Sequence, residues 1–238
     1  MKLVQLVGTK NKADFAIYLA HTIANYEKRV LIVDATKDEI YRHGYTDLEE
    51  MEYLYNLQNV EILIGAKNWK EVTNLLEYEG EKTNNYDCII VDMDSINALI
   101  DDWPLFEEAI YVSDNDRINI VRDIPLLHRW QDENENRQLR RIHFESSYKL
   151  PENLIQLLMN NRIEFSPFSE SLEYDDLESY LRLMMQHDKI IPYKKLSRLY
   201  KSFLKELVME WFEIDESEQG FKIFKLAKRD KDKEVLEG

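Results

Sequence analysis

The chain contains few of the residues on which several classes of protein depend. Of its 238 residues only Cys88 is a cysteine, so an internal disulfide and a cysteine-based zinc cluster are excluded, and a reducing cytoplasm is expected. Six glycines and five prolines are also a small number. No apolar run reaches the roughly 18 residues of a membrane-spanning helix. Met1-Lys2 leads directly into a short strand rather than a secretory signal.

Positive charge is scarce as well. The sequence has 31 Lys and Arg against 46 Asp and Glu, a formal net charge of −15. This balance disfavours unspecific binding along nucleic acid, because such binding needs cations that neutralise phosphates. A local basic stripe on one predicted helix is the feature that would favour DNA binding, although an ordinary solvated helix face explains it more simply. The stripe consists of Lys194, Lys195, Arg198, Lys201 and Lys205.

Apolar strands alternate with helices along most of the chain. The predicted strands cover residues 3–7, 29–34, 59–64, 87–92, 108–113, 139–144 and 162–165, and the predicted helices cover 16–24, 69–78, about 116–130, 152–159, 174–186 and 193–212. Continuously apolar strands separated by helices predict a doubly wound α/β domain, whose mostly parallel sheet is covered by helices on both faces. We assign residues 1–212 to this domain and 213–238 to a C-terminal tail.

The tail allows two interpretations. Residues 211–215 and 221–226 read as the strands of a hairpin closed near Gly220, which we favour. Wound as a helix, residues 221–229 instead separate basic from apolar side chains and could lie on an anionic membrane.

The segment from Gly8 to Asp14 lies between the first predicted strand and the first predicted helix. This is the context in which backbone N–H groups and a helix N-terminus hold phosphate. The composition of the segment differs from that of a phosphate-binding loop, because it keeps one glycine and no hydroxyl residue follows Lys12. For Lys12 a solvated lysine in the first turn of the helix is the competing interpretation.

Two aspartates lie at the ends of apolar strands of the predicted sheet. Asp34 and Asp92 each end an apolar strand, and ligands of doubly wound sheets bind at the carboxyl ends of the strands. Carboxylates there hold Mg²⁺ in phosphate-handling enzymes, whereas a single aspartate more simply caps the next turn. Together with Gly8 and Lys12 they form a candidate nucleotide site. The five histidines show no spacing typical of a metal site.

Over residues 1–212 the chain resembles the MinD/ParA family of deviant Walker-A ATPases. The order and spacing of the loop, the helix 16–24 and the strand 28–34 carry the resemblance. Further matching pieces are the Walker-B-like strand 86–92, residues 107–113 and 119–123, and residues 165–168, which fall where the family has a loop near the nucleotide base. The resemblance implies the P-loop fold, a nucleotide site and a nucleotide-clamped dimer.

The sequence departs from the family pattern at the loop. Lys12 takes the place of the Walker lysine, but Val7 stands where the family has its signature lysine, which reaches the partner's nucleotide. Thr9 and Asn11 replace glycines, and non-glycine residues resist positive φ. Ala13 replaces the hydroxyl residue that holds Mg²⁺.

Two further departures affect hydrolysis. Thr36 stands where an aspartate would orient water, and residues 93–96 lack the glycine that would meet the γ-phosphate. Losing one preorganised contact to developing charge typically costs roughly 10²–10³ in rate. We therefore expect no catalytic residue, no resident metal and no resident cofactor, and leave weak binding of ATP or ADP open.

These observations predict a catalytically inactive MinD/ParA-like pseudo-ATPase. It would bind a protein partner or position a secretion, pilus, conjugation or partition system, as relatives of the TadZ/CpaE type do in pilus assembly. We expect a constitutive homodimer with an isologous interface over the site face. We expect a cytoplasmic location, with residues 221–229 as a candidate membrane contact. The alternative is an active Mg²⁺-dependent ATPase with an atypical loop that uses Lys12, Asp34 and Asp92.

Overall fold

A computed structural model describes residues 1–46, 52–135, 137–151, 153–173 and 176–214. Its strands form one eight-stranded sheet in the order β3-β4-β2-β5-β1-β6-β7-β8. The strands are β1 (Lys2–Val7), β2 (Val30–Asp34), β3 (Leu54–Leu57), β4 (Val60–Ile64), β5 (Cys88–Met93), β6 (Glu108–Asp114), β7 (Arg140–Glu145) and β8 (Glu170–Glu173).

The sheet is parallel except at one edge. β3 pairs antiparallel with β4, and every other neighbouring pair is parallel. All six residues of the central strand β5 are buried, as a strand covered on both faces requires. The predicted doubly wound α/β fold is confirmed.

Helices cover both faces of the sheet. They are α1 (Ala13–Ala24), α2 (Ile40–Tyr45), α3 (Trp69–Tyr78), α4 (Ile96–Ile100), α5 (Arg117–Glu133), α6 (Leu154–Leu158), α7 (Asp176–Asp188) and α8 (Arg198–Phe212). One apolar core joins α1, α2, α7 and α8 to one face. Two further cores join α3 with α4, and α5 with α6, to the other. Within the described residues no helix is long and apolar enough to cross a membrane.

The predicted strand 162–165 is wrong. Only Phe165 makes an isolated bridge, to Leu139, and the strand that pairs with β7 is β8. Pro167 has no N–H to continue a ladder, and the chain turns at Ser166, whose carbonyl accepts from the Ser169 N–H at 3.1 Å.

The predicted helix 193–212 is divided. Residues Tyr193–Lys195 form a short 3₁₀ helix, and α8 begins after Ser197, whose hydroxyl accepts from the Tyr200 N–H. The basic stripe is therefore divided between these two segments.

The first predicted strand of the hairpin is wrong at its start. Trp211 and Phe212 belong to α8, and Glu213, the residue directly after this helix, has φ of +51°. Residue 215 and residues 221–229 lie outside the described residues, so the second strand, the membrane contact and the domain boundary stay predictions.

The hairpin of β3 and β4 was not expected from the sequence. Its turn residues Gln58 and Asn59 both have positive φ, at +50° and +68°. Such a turn usually carries glycine, so Gln-Asn is a weak signal for it.

Candidate functional site

The sheet order brings the candidate residues to one place. β1 and β2 flank β5, and in this register Asp34 lies beside Asp92. The loop that joins β1 to α1 begins at Gly8 and ends at Lys12. The carboxyl ends of three adjacent parallel strands thus carry the loop and both aspartates.

The single glycine of the loop is required by its backbone. Gly8 has φ of +135°, and a Cβ there would lie 2.4 Å from the carbonyl oxygen of Val112 on β6. A side chain at this position would therefore collide with the neighbouring strand as well as strain the loop.

Lys12 points into the protein. Its Nζ lies 2.6 Å from Asp92 Oδ1 and donates a hydrogen bond of 2.6 Å to the Gly8 carbonyl oxygen. The side chains of Lys12 and Asp92 are 1% and 0% exposed. A solvated lysine on the first turn, the competing interpretation, does not describe this position.

The second oxygen of Asp92 is also engaged. Tyr41, from α2, donates its hydroxyl to Asp92 Oδ2 at 2.8 Å. Burial raises the pKa of the Asp92 carboxyl, while Lys12 and the Tyr41 hydroxyl act in the opposite direction. Asp92 is therefore held between two donors of the same chain.

Asp34 is held by the segment that follows it. Its Oδ1 accepts from the Thr36 hydroxyl and N–H, and its Oδ2 accepts from the Tyr41 N–H at 3.0 Å. Burial raises the pKa of Asp34 to about 6, and the charge of Asp92 adds to the rise, although the Thr36 hydroxyl opposes it. The two adjacent carboxylates thus disfavour each other's ionised form.

The loop is tied to α5 through a third buried carboxylate. The N–H and the hydroxyl of Thr9 both donate to Asp123 Oδ1 at 2.7 Å, and the Tyr111 hydroxyl donates to Asp123 Oδ2 at 2.8 Å. Burial raises the pKa of Asp123, and the two hydrogen bonds from Thr9 work against that rise. A backbone donor of the loop is thereby bound to a side chain of the protein itself.

Two N–H groups in the first turn of α1 are bound to side chains of the chain as well. The Ala13 N–H donates to Asn11 Oδ1 at 3.2 Å, and the Phe15 N–H donates to Asp14 Oδ1 at 2.9 Å. Asp14 is buried in the first turn, where the helix dipole favours negative charge. The carboxylate of Asp14 would therefore repel an anion that approached the N-terminus of α1.

Solved structures with this architecture share it over nearly their whole length. A ParA family ATPase from Chlorobium tepidum aligns with a TM-score of 0.58 and 14% identity, covering 85% of this chain and 96% of that one. The MinD cell division protein of Aquifex aeolicus aligns with a TM-score of 0.55 and 14% identity, covering 90% and 98%. The chain has the fold of the ParA and MinD ATPases.

A variant of Cyanothece McdA, solved as a complex with ATP, aligns with a TM-score of 0.53 and 13% identity, covering 91% of this chain and 98% of that one. The amino-acid sequence itself matches no protein-family model and no curated protein.

The charges around the loop do not fit the triphosphate of the magnesium–nucleotide complex that such a fold implies. Two buried lysines, Lys10 and Lys12, stand against four buried aspartates, which are Asp14, Asp34, Asp92 and Asp123. The side chain of Ala13 offers no oxygen to a metal. Among the described residues, no group of three or more histidine, cysteine, aspartate and glutamate side chains is arranged for a metal ion.

The lining of a cleft beside the loop also holds more acidic than basic side chains, three against Lys10. A cleft of about 340 Å³ opens beside Lys10 at the carboxyl ends of β6 and β7, and the carboxylates of Asp114, Asp116 and Glu145 line it. Phosphate approaching the loop from this side would meet negative charge.

All four candidates predicted from the sequence, Gly8, Lys12, Asp34 and Asp92, meet where the loop between β1 and α1 lies over the ends of β2 and β5. Two residues that the sequence analysis missed complete the network. Asp123 had a detectable signal, because it is a lone acid in the apolar stripe of α5. Tyr41 had none, since α2 was not predicted.

Proposed function

We propose that this chain is a catalytically inactive member of the ParA/MinD fold that acts by binding protein partners without nucleotide. The observation that carries the proposal is the buried contact of Lys12 with Asp92 and with the Gly8 carbonyl oxygen. This lysine would have to leave both partners before it could reach a phosphate.

Moving Lys12 away from its buried partners costs free energy. Removing one partner from a buried ion pair typically costs about 3–5 kcal/mol, because the other charge stays buried and unpaired. A loss of that size lowers an affinity by roughly 10²–10³-fold or more. The N–H groups of Thr9 and Ala13 are already bound to side chains of the chain, so these two donors are not free to offset that loss.

A positioning role agrees with the fold. One solved structure with this fold is described as a complex of MinD with MinC, both cell division proteins. We infer that this chain likewise presents its surface to a protein partner, within a secretion, pilus, conjugation or partition system. We propose a role similar to that of the TadZ/CpaE-type localisation proteins. Homodimerisation is part of the proposal.

Calorimetric titration of the full chain with ATP and with ADP, each with and without Mg²⁺, tests this function. We expect no saturable heat with nucleotide at high micromolar concentration, and no phosphate release above background. Micromolar binding that requires Mg²⁺ would favour the active-ATPase alternative. For that alternative to hold, nucleotide binding must be abolished in Lys12→Ala and retained in Lys37→Ala. Circular dichroism must show that both variants are folded.

A repaired loop provides a matched variant. Thr9→Gly, Asn11→Gly and Ala13→Thr together restore the glycines and the hydroxyl of the family pattern. If nucleotide binding appears only in this variant, the missing glycines and hydroxyl explain why the natural loop does not bind nucleotide.

A further inference from the structure

Two tyrosines from different elements meet on the surface at one edge of the sheet. Tyr53 directly precedes the edge strand β3, and Tyr78 is the last residue of α3. Their ring centroids lie 6.0 Å apart at an interplanar angle of 85°, and the two residues are 37% and 78% exposed. Because the rings meet edge to face, the ring that contributes its edge keeps both of its faces uncovered by the other. We call Tyr53 and Tyr78 the aromatic corner.

A carboxylate adjoins the aromatic corner. Glu79 Oε1 accepts a hydrogen bond of 3.2 Å from the Tyr53 N–H, so this side chain lies beside the first tyrosine. Glu52 and Glu77 are exposed and are the neighbours of the two tyrosines in the sequence. The ion pairs of the described residues involve none of these three glutamates. The negative charge around the corner is therefore not balanced by an ion pair within the described part of the chain.

One cation, Arg42, comes close to Tyr53 but has its own partner. The Tyr53 ring lies over Gly65, with Cδ1 and Cε1 at 3.6 and 3.7 Å from the point where a Cβ on Gly65 would lie. Arg42 Nη2 lies 3.9 Å from the same point. The Arg42 guanidinium is paired with Glu39, to which its Nε donates. Because this pair is neutral as a whole, it does not offset the charge of the three glutamates.

A cation fits this combination of groups. The face of an aromatic ring attracts a cation, and the guanidinium of arginine stacks on such a face while it donates to a carboxylate. Nucleic acid and an anionic membrane would be repelled by Glu52, Glu77 and Glu79. A second copy of this chain, docked through the same surface about a two-fold axis, would bring these carboxylates against themselves. Tyrosine is enriched among the residues that anchor protein–protein interfaces, so a basic protein partner is the occupant that both features favour.

We propose that the aromatic corner and Glu79 bind an arginine side chain of a protein partner. The guanidinium lies on an open tyrosine face and donates to the Glu79 carboxylate. A basic partner segment also agrees with the net charge of −15 of this chain. The inference deepens the proposed function, on which it rests, because it names a surface and a chemistry by which the chain recognises its partner.

Titration of the full chain with two synthetic peptides, followed through the NMR signals of the tyrosine rings, tests this site. One acetylated peptide carries two arginines, and in its counterpart citrulline, an uncharged side chain of similar shape, replaces both. We expect saturable shifts of the Tyr53 and Tyr78 ring signals at millimolar concentration or below with the arginine peptide alone. Shifts at neither tyrosine, or equal shifts with the citrulline peptide, overturn the proposal.

Matched variants locate the binding site. Tyr78→Ala and Glu79→Gln should each weaken binding of the arginine peptide by about threefold or more, because each removes one contact of the cation. Glutamine at position 79 keeps an oxygen that accepts from the Tyr53 N–H. The controls are Tyr180→Ala, at a tyrosine 58% exposed on α7, and Glu173→Gln, on β8 at the opposite edge of the sheet. Both controls should leave the affinity unchanged, and an affinity indifferent to Tyr78→Ala and Glu79→Gln rejects the site.

Nucleotide titration of the same protein separates this inference from the proposed function. Micromolar binding of ATP that requires Mg²⁺, together with peptide shifts at both tyrosines, contradicts the inactive site but retains the aromatic corner. A chain that binds no nucleotide and shows no shift at either tyrosine rejects the aromatic corner alone.

Discussion

Lys12 Nζ lies 2.6 Å from Asp92 Oδ1, and both side chains are almost completely removed from solvent. In this pair the lysine after the first strand neutralises the aspartate of the central strand. The pair holds the loop against the sheet, so its loss should be measurable as a change in the free energy of unfolding, without an activity assay.

Lys12→Met should destabilise the protein by about 3–5 kcal/mol, because it leaves Asp92 charged and buried without its cation. Urea unfolding at pH 7 measures the change. Lys149→Met, at an exposed lysine, should change stability by less than about 1 kcal/mol. Adding Asp92→Asn to Lys12→Met should recover part of the loss, and an equal or larger loss in the double variant would contradict the pairing.

Tyr41→Phe should cost about 1–2 kcal/mol, since it removes the hydroxyl that donates to Asp92 while keeping the ring. Tyr148→Phe, at an exposed tyrosine, is the matched control and should be neutral. Equal unfolding free energies for the two variants would show that the hydroxyl of Tyr41 contributes nothing to the site.

Asp123→Ala should loosen the loop. The N–H and hydroxyl of Thr9 and the hydroxyl of Tyr111 lose their common acceptor. Hydrogen exchange should speed up at the Thr9 amide by about tenfold or more, because a lost hydrogen bond of this kind is worth at least about 1.4 kcal/mol. Amides in the middle of β5 serve as the internal reference, and unchanged protection at Thr9 would contradict the contact.

Gly8→Ala should destabilise the chain more than Gly80→Ala does. Both glycines have positive φ, so both substitutions strain the backbone, but only at Gly8 does a Cβ meet an atom, the Val112 carbonyl oxygen at 2.4 Å. Nothing lies within 4 Å of a Cβ at Gly80, so about 1 kcal/mol is expected there. Thermal unfolding of the two variants side by side gives the difference, and similar losses would exclude the close approach.

The stability of the folded protein should depend on pH through Asp34. Its pKa of about 6 in the folded protein exceeds the ordinary 3.8, so the folded state holds the proton more tightly. Its contribution to stability is complete below pH 3.8 and is lost as the pH rises through 6. The loss amounts to about 3 kcal/mol at most.

Comparison with Asp34→Asn isolates this effect from other groups. The wild type should lose stability relative to Asp34→Asn between about pH 4 and pH 7, because only the wild type carries the titrating carboxyl. Urea unfolding at several pH values provides the measurement. A difference between the two proteins that stays constant with pH would contradict the raised pKa.

The sequence predicted the central sheet well because its strands are continuously apolar. In β2 and β5 every residue is buried, so the pattern does not depend on which side chains face which helix. The edges were harder. β8 has one buried residue among four, and β3 depends on a turn through Gln58 and Asn59 that lacks glycine.

At the site, the sequence identified the residues but not their contacts. Spacing along a strand predicts that Asp34 and Asp92 come together, since parallel strands end at the same edge. It does not predict that Lys12 turns inward, because that depends on how the loop packs over the end of β5. The position of Asp123 in the apolar stripe of α5 indicates a buried acid, but its contact with Thr9 depends on the packing of α5 against the loop.

Cys88 is the first residue of the central strand β5 and is completely buried. This burial raises the pKa of its thiol. A neutral, inaccessible sulfur reacts slowly with alkylating reagents, so its modification would report the opening of the middle of the sheet. A cysteine introduced on the surface could therefore carry a dye or a spin label by itself, without removal of the natural thiol.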